Sequence, residues 1–197
     1  MKKIVLLVAA LISLCFTTSF AKIKKNGKAI DFKLAEVVTK VEHKLSSYYD
    51  GIVVLEWHSP TCSFSSRHAS ERTMTKLESK YSALGVVWFG IDSSKADYGL
   101  IGYSSWKGSH GINYPILRDA SGKIGKAYDV SVTPYMVIIN KGIVVYQGAI
   151  DDDTFGEKPS YQRKNYVEIA LKSLTKNGKL PKKFKQFQHA YGCGIKY

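Results

Sequence analysis

The stretch from Gly51 to Ser66, GIVVLEWHSPTCSFSS, constrains the fold more than any other part of the chain. Its unbroken run of aliphatic and β-branched residues is typical of a strand that is covered on both faces. Pro60 prevents that strand from continuing as an interior element of a sheet. The chain must therefore turn at this point, and the turn carries Cys62.

The residues after Cys62 predict a helix over 65–84, because Met74, Leu77 and Tyr81 recur at helical spacing. The amino end of a helix has free N–H groups and a partial positive charge that stabilise an anion. A thiol held there has its pKa lowered into the range of roughly 3.5–7.5, and it reacts as a thiolate. We therefore expect Cys62 to be a reactive cysteine. The competing interpretation is a small buried apolar residue.

The next strong signals are strands. An apolar run over 86–92 follows the predicted helix, and two parallel strands joined by a helix form a βαβ unit. Residues 135–139 and 143–148 read as the two strands of a hairpin with a turn between them. A hairpin added to a βαβ unit gives a mixed sheet. The predicted fold class is therefore α/β, with a central mixed sheet flanked by helices.

Weaker patterns predict the remaining elements. They comprise an amphipathic helix over 34–45, a short helix with loose ends within 93–111, a short strand over 114–119, one or two helical turns over 124–128 and a final helix over 166–177.

Thr133 and Pro134 stand directly before the hairpin. A proline at the first position of a central strand is tolerated only where the sheet does not need its missing N–H. A cis peptide bond between these two residues would meet that condition. It would also bring the backbone against the helix end that carries Cys62.

The first 21 residues are typical of a cleaved export signal. Lys2 and Lys3 precede an apolar run that is shorter than the ~20 residues needed to cross a bilayer. Ser19 and Ala21 provide the small residues that signal peptidase reads. We expect cleavage near Ala21, and a periplasmic or secreted protein.

Removing those 21 residues from 197 leaves 176, which suits one domain with a sizeable core. The predicted organisation is a signal peptide over 1–21, a domain over 22–178 and a C-terminal tail over 179–197. The formal charge falls from +13 to +11 when Lys2 and Lys3 are lost. Such a surface suits weak association with anionic membranes or polymers. We do not expect nucleic-acid binding, because no motif for it accompanies the lysines.

Cys62 and Cys193 are the cysteines of the mature chain. An oxidising compartment allows a disulfide between them. Glycines flank Cys193, so the tail can reach back across the surface. By the chain-entropy model a bond closing so long a loop stabilises the fold by ~4.7 kcal/mol. Two interpretations stay open here: a permanent structural bond, or two thiols that are oxidised and reduced during turnover.

Together these features resemble the thioredoxin-fold superfamily, and within it the peroxiredoxin-like redoxin proteins of the alkyl hydroperoxide reductase and thiol-specific antioxidant group. The segments that carry the resemblance are 59–64, 85–88, 119–122, 132–134, 146–152 and 191–197. The resemblance implies a thiol-dependent oxidoreductase with an antioxidant role that reduces a small peroxide, or a disulfide in a protein or small molecule. It implies catalysis by Cys62 and Cys193, an external thiol reductant, and neither a cofactor nor a metal.

The chain departs from the family pattern at several positions. Ser65 replaces the second cysteine of a Cys-x-x-Cys motif, which removes the local resolving thiol and leaves Cys193 as the internal one. Leu55 stands where a typical peroxiredoxin has proline. Ser59 replaces threonine and keeps a hydroxyl that can hydrogen-bond a thiolate or a peroxide oxygen. The residues expected to support the thiolate or the substrate are Ser59, Ser65, Thr133, Pro134 and Arg118.

Two other functions are compatible with these residues. A catalytically inactive thioredoxin-fold binding module would use a Cys62–Cys193 disulfide as a structural bond, and Ser65 and Leu55 favour it. Copper or zinc handling would use Cys62 with His58 or His68. It is the weaker alternative because the core has one thiol, and no metal site is predicted.

Overall fold

A computed structural model describes residues 26–197 of the protein, so the predicted export signal lies outside the described residues. The described strands are β1 (Lys33–Ala35), β2 (Glu42–Lys44), β3 (Ile52–Trp57), β4 (Val86–Asp92), β5 (Ile116–Arg118), β6 (Val132–Thr133), β7 (Tyr135–Asn140), β8 (Ile143–Gly148), β9 (Phe187–Gln188) and β10 (Cys193–Gly194). The α-helices are α1 (Ser63–Ser70), α2 (Thr73–Ser82), α3 (Gly99–His110), α4 (Lys123–Ala127) and α5 (Tyr166–Asn177), and 3-10 turns occupy Leu45–Tyr48 and Ser160–Gln162.

The central sheet confirms the predicted α/β class. Its six strands lie in the order β5-β4-β3-β7-β8-β9. β3 pairs in parallel with β4 and antiparallel with β7, so the βαβ unit and the hairpin share β3 as their common strand. The sheet is therefore mixed, as the sequence predicts.

β3 is buried on both faces because its side chains alternate between two hydrophobic clusters. Val54 packs with residues of α2, α3 and α5 on one face. Leu55 and Trp57 pack with Tyr128 and the amino-terminal segment on the other. Alternation along a strand produces this arrangement. Burial on both faces fixes the position of the carboxyl end of β3, where the loop to Cys62 begins.

The predicted helix over 34–45 is wrong. β1 and β2 form an antiparallel hairpin there. The Glu36 carboxylate accepts hydrogen bonds from the backbone N–H groups of Val38 and Thr39, and Lys40 adopts a left-handed conformation with φ of 60°. These local bonds close a turn, while the β-branched residues around it favour extended backbone.

The predicted helix over 65–84 is divided into α1 and α2. Arg72 interrupts it in a left-handed conformation, with φ of 56° and ψ of 35°. The break allows each helix to bury its own set of side chains: α1 buries His68, whereas α2 buries Met74 and Leu77 in the core. Packing of two separate faces thus overrides a continuous helical pattern.

The sequence predicts a short helix with loose ends within 93–111, but the helix there is long and has well-defined termini. α3 has 12 residues, and Gly99 and Gly111 lie at its two ends with φ of 62° and 64°. Gly99 and Gly111 therefore mark the start and the end of the helix. They do not weaken it, because glycine adopts the positive φ required at these two positions.

The tail is packed on the domain. β9 adds to the sheet beside β8, and β10 pairs antiparallel with β6. Two further backbone bonds hold its end: Ile195 N–H donates to Ser131 O at 3.0 Å, and Lys95 N–H donates to Lys196 O at 2.6 Å. Within residues 26–197, no helix has the length and apolar character to span a bilayer.

Candidate thiol–disulfide site

Cys62 occupies the N-cap position of α1 and is 1% exposed. Its extended backbone, with φ of −91° and ψ of 122°, ends the loop from β3, and its carbonyl accepts the first helical bond from Ser66 N–H at 2.8 Å. No acidic side chain lies in the first turn of α1. The sulfur is therefore close to the positive end of a helix whose first turn carries no competing carboxylate, which favours a thiolate when the residue is reduced.

Cys62 is bonded to Cys193, which lies 131 residues further along the chain. The two Cα atoms are 5.7 Å apart, an ordinary distance for a disulfide. Cys193 is half-buried, whereas Cys62 is fully buried. The two cysteine residues therefore differ in their exposure to solvent.

Thr133 and Pro134 lie directly beside this bond. The peptide between them is cis, and the Thr133 carbonyl oxygen is 3.0 Å from Cys62 Sγ. Thr133 also pairs with Cys193 across the β6–β10 ladder. The predicted proline loop thus contacts both halves of the disulfide.

Ser59 and Ser65 stabilise the loop before α1. Ser59 N–H donates to Ser65 Oγ at 3.4 Å, and Ser59 Oγ lies 3.1 Å from Thr61 Oγ1 and 3.2 Å from Tyr98 Oη. Sequence reasoning missed Thr61 and Tyr98. Tyr98 comes from the loop between β4 and α3, and no local pattern marks it as a neighbour of Ser59.

Arg118 binds a loop near the site. Its guanidinium donates to Asp92 O and to Ala96 O, both at 3.0 Å, and lies 3.8 Å from Asp92 Oδ1. Arg118 therefore positions the segment that follows β4, and this segment forms one wall of the cavity described next.

A cavity of about 330 Å³ borders the disulfide. Its walls come from residues of the 58–62 and 92–98 loops, from Thr133 and from residues 193–196 of the tail. Both cysteines line it. The bond is therefore next to an open space of the size that small ligands occupy.

His58 lines the same cavity and is 4% exposed. Its ring lies parallel to that of Trp106, with centroids 6.1 Å apart. Neither ring nitrogen has a hydrogen-bond partner among residues 26–197. In that part of the chain, no three His, Cys, Asp or Glu side chains form a group that could hold a metal ion. The metal alternative therefore has no cluster to support it there.

Tyr191 holds the tail on one side of Cys193. Its hydroxyl donates to Asp151 Oδ1 and lies 3.4 Å from His68 Nε2, and Arg67 contacts the same hydroxyl at 3.4 Å. Burial lowers the pKa of His68 to about 4, against an opposing effect of Asp151. His68 is therefore a neutral partner in this network at neutral pH.

Tyr197 holds the tail on the other side. Its hydroxyl donates to Val130 O. Its ring fills space beside Gly122 and Gly125, where a Cβ atom would overlap it. Lys126 Nζ lies 5.0 Å from the centre of the ring. Contacts on both sides thus position Cys193 opposite Cys62.

Several solved structures share this fold. An uncharacterized conserved protein from Geobacillus kaustophilus matches with a TM-score of 0.75 and 23% identity over 88% of this chain and 92% of its own. A hypothetical protein from Sinorhizobium meliloti 1021 matches with a TM-score of 0.72 and 22% identity over 89% and 96%. A protein from Chlorobium tepidum, described as a putative thiol:disulfide interchange protein DsbE, gives a TM-score of 0.55 and 22% identity over 64% and 85%.

No curated protein sequence matches the chain. A family model, in contrast, matches residues 26–150, which include β3, Cys62, the Thr133–Pro134 bond and the hairpin of β7 and β8. The match extends over more than half of the chain and confirms the resemblance that the sequence motifs indicate. This chain therefore belongs to the AhpC/TSA family.

Proposed function

We propose that this protein is an exported thiol–disulfide oxidoreductase that cycles Cys62 and Cys193 between a dithiol and a disulfide. The observation that carries the proposal is the position of their bond, which borders an open cavity instead of lying sealed in the core. Membership of the AhpC/TSA family supports it. So does the fold shared with a protein described as a thiol:disulfide interchange protein.

The Cys62 thiolate attacks one sulfur of a disulfide substrate, forms a mixed disulfide and releases the other sulfur as a thiolate. The Cys193 thiolate then attacks Cys62 Sγ, which releases the second substrate thiolate and forms the Cys62–Cys193 bond. A peroxide is the other oxidant to test. Attack on it gives a sulfenic acid and releases an alcohol or, from hydrogen peroxide, water; the Cys193 thiol then condenses with that acid and one water is lost. An external thiol restores the dithiol.

The proposal includes export. Residues 1–21 are removed, the redoxin domain comprises 22–178, and the tail over 179–197 supplies Cys193. An oxidising compartment is where such a pair forms a disulfide readily. Ser59, Thr133 and Pro134 act at the Cys62 thiolate, while Ser65 and Arg118 position the loops around it.

The inactive binding module remains the second candidate, because Cys62 is 1% exposed and the tail is held on both sides of Cys193. The reduction potential separates the two. A value below about −300 mV indicates a structural bond, and one between about −270 and −120 mV indicates a bond that takes part in turnover.

The decisive experiment measures consumption of a peroxide and of a disulfide substrate with a generic thiol reductant. Cys62→Ser is expected to abolish turnover, and Cys193→Ser to accumulate a sulfenic acid or mixed disulfide on Cys62, detectable by mass. Ser63→Ala is the matched control, because Ser63 is exposed and adjacent to Cys62. Equal turnover in wild type and Cys62→Ser would eliminate the proposed activity.

A further inference from the structure

The tail limits what can reach the disulfide. β10 occupies the edge of β6, where an extended polypeptide would otherwise pair. A polypeptide substrate must displace this strand, which Tyr191 and Tyr197 hold on either side of Cys193. The cavity of about 330 Å³, in contrast, is open with the tail in place. A small molecule can use it without any rearrangement of the tail.

The cavity wall is mainly apolar, but it carries a few polar groups, and one of them is buried without a hydrogen-bond partner among residues 26–197. The hydroxyls of Ser59, Thr61 and Tyr98 line it and contact one another at 3.1–3.2 Å. The His58 ring is 4% exposed, and both of its nitrogens lack a partner among residues 26–197. A buried polar group without a partner costs free energy. Both nitrogens are covered by protein, so a polar ligand in this cavity would supply the missing hydrogen bond after a rotation of the ring.

The charges at the cavity favour an anion. Lys95 and Lys196 line it and are exposed to solvent. Asp92 is the one carboxylate among its lining residues. Asp92 is fully buried, accepts hydrogen bonds from Ser94 and Tyr103, and lies 3.8 Å from the Arg118 guanidinium. The charge presented to a ligand is therefore positive.

From this arrangement we infer that the cavity is the binding site of the reductant, and that the reductant is a low-molecular-weight thiol bearing a carboxylate. The inference rests on the proposed function, because it names the electron donor for the same disulfide. Lys95 and Lys196 attract the carboxylate, and His58 and the hydroxyls bind the polar atoms. The cavity volume lies at the small end of the range of ligand pockets.

The reductant thiolate attacks Cys193, because this sulfur belongs to the half-buried residue and Cys62 is 1% exposed. A bond forms between the reductant sulfur and Cys193 Sγ, and the Cys62–Cys193 bond breaks. Cys62 leaves as a thiolate at the amino end of α1, where a negative charge is stabilised. A second reductant thiolate attacks the sulfur of the first. Its products are the symmetrical small disulfide and the Cys193 thiolate, so two thiols deliver two electrons.

The test follows reduction of the oxidised protein by three small thiols: 3-mercaptopropionate, 2-mercaptoethanol and cysteamine. Rate constants are expressed per thiolate, and samples are alkylated and mapped by mass. We expect 3-mercaptopropionate to react about tenfold faster than cysteamine, with saturation at high thiol concentration and loss of the preference in high salt. The mixed disulfide is expected on Cys193.

Lys95→Glu should abolish the preference for the anionic thiol, whereas Lys172→Glu should keep it. Lys172 is exposed on α5, so the second variant makes the same change in net charge away from the cavity.

His58→Phe should raise the half-saturating thiol concentration by about tenfold, through loss of one hydrogen bond to a buried group. Its far-ultraviolet circular dichroism, compared with that of wild type, checks that it folds.

Two results would overturn the inference alone: equal rates for the three thiols with linear concentration dependence, or a thioredoxin that reduces the disulfide faster than any saturating small thiol. In both cases the pair still cycles, so the proposed function stands. A disulfide that no thiol reduces in the native protein, together with no turnover, would refute both.

Discussion

Cys62 and Cys193 share one bond, but the chain holds them in different ways. Cys62 is positioned by neighbours in sequence, since β3, the 58–62 loop and α1 are consecutive. Cys193 is positioned by residues far from it in sequence: Thr133 through β6, and Asp151 through Tyr191. The first half of the site is therefore a property of the βαβ unit. The half of the site that contains Cys193 depends on how closely the tail packs against β6 and the residues around it.

The largest expected effect comes from Gly192, the residue directly before Cys193. Gly192 has φ of 152°, and a methyl group there would overlap the Thr133 carbonyl. Gly192→Ala should therefore displace the tail and make the disulfide less favourable by roughly 4 kcal/mol, which raises the reduction potential by roughly 90 mV. Equilibration in dithiothreitol redox buffers, with counting of free thiols, measures the shift.

Gly194→Ala is the control, because a Cβ atom at Gly194 meets no other atom within 4 Å. Its potential should equal that of wild type. If Gly192→Ala formed the disulfide as readily as Gly194→Ala, close contact between the tail and β6 would not be what positions Cys193.

The contrast between the two cysteines also explains what the sequence could predict. A buried strand, a proline and an apolar helical repeat are local patterns, and they predict the place of Cys62 at the start of a helix correctly. The contacts of Tyr191 and Tyr197 arise only once the sheet brings 122–133 and Asp151 to the surface that the tail crosses. Periodicity within a short window carries no information about them.

The incorrect helix over 34–45 has a related cause. Its apolar residues repeat at helical spacing, but the Glu36 carboxylate binds the next backbone N–H groups and closes a turn. Lys107 Nζ, from α3, also contacts this carboxylate at 3.1 Å. A distant partner thus helps to choose between two local structures, and the local pattern alone favours the wrong one.

On the Tyr191 side of the tail, His68 makes the stability of the folded protein depend on pH. The folded protein keeps His68 neutral down to its pKa of about 4, whereas the unfolded chain protonates it near pH 6.5. The unfolded state therefore binds more protons between these values, so stability is complete above pH 6.5 and is lost as the pH falls towards 4. The loss attributable to His68 is of order 3 kcal/mol.

Urea unfolding of the oxidised protein at several pH values measures this loss. His68→Gln, which cannot be protonated in this range, should flatten the pH dependence, and His189→Gln should not, because His189 is exposed in the tail. A His68→Gln profile that matches that of wild type between pH 6.5 and 4 would show that other groups cause the loss.

The smallest expected effect lies on the Cys62 side, at Ser65. Its Oγ accepts a hydrogen bond from Ser59 N–H, and the side chain is 4% exposed. Ser65→Ala should lower the free energy of unfolding by about 1 kcal/mol, because a buried N–H loses its acceptor. The exposed Ser63, replaced by alanine, should change it by less than about 0.5 kcal/mol.

The reduction potential of Ser65→Ala shows whether Ser65 acts on the loop alone or also on the Cys62 thiolate. If Ser65 stabilises only the loop, Ser65→Ala weakens the oxidised and reduced proteins equally and the potential stays constant. A shift of more than about 30 mV, equivalent to about 1.4 kcal/mol, would mean that the hydroxyl acts on the Cys62 thiolate itself. The local half of the site would then contribute to the redox chemistry through a side chain as well as through the helix end.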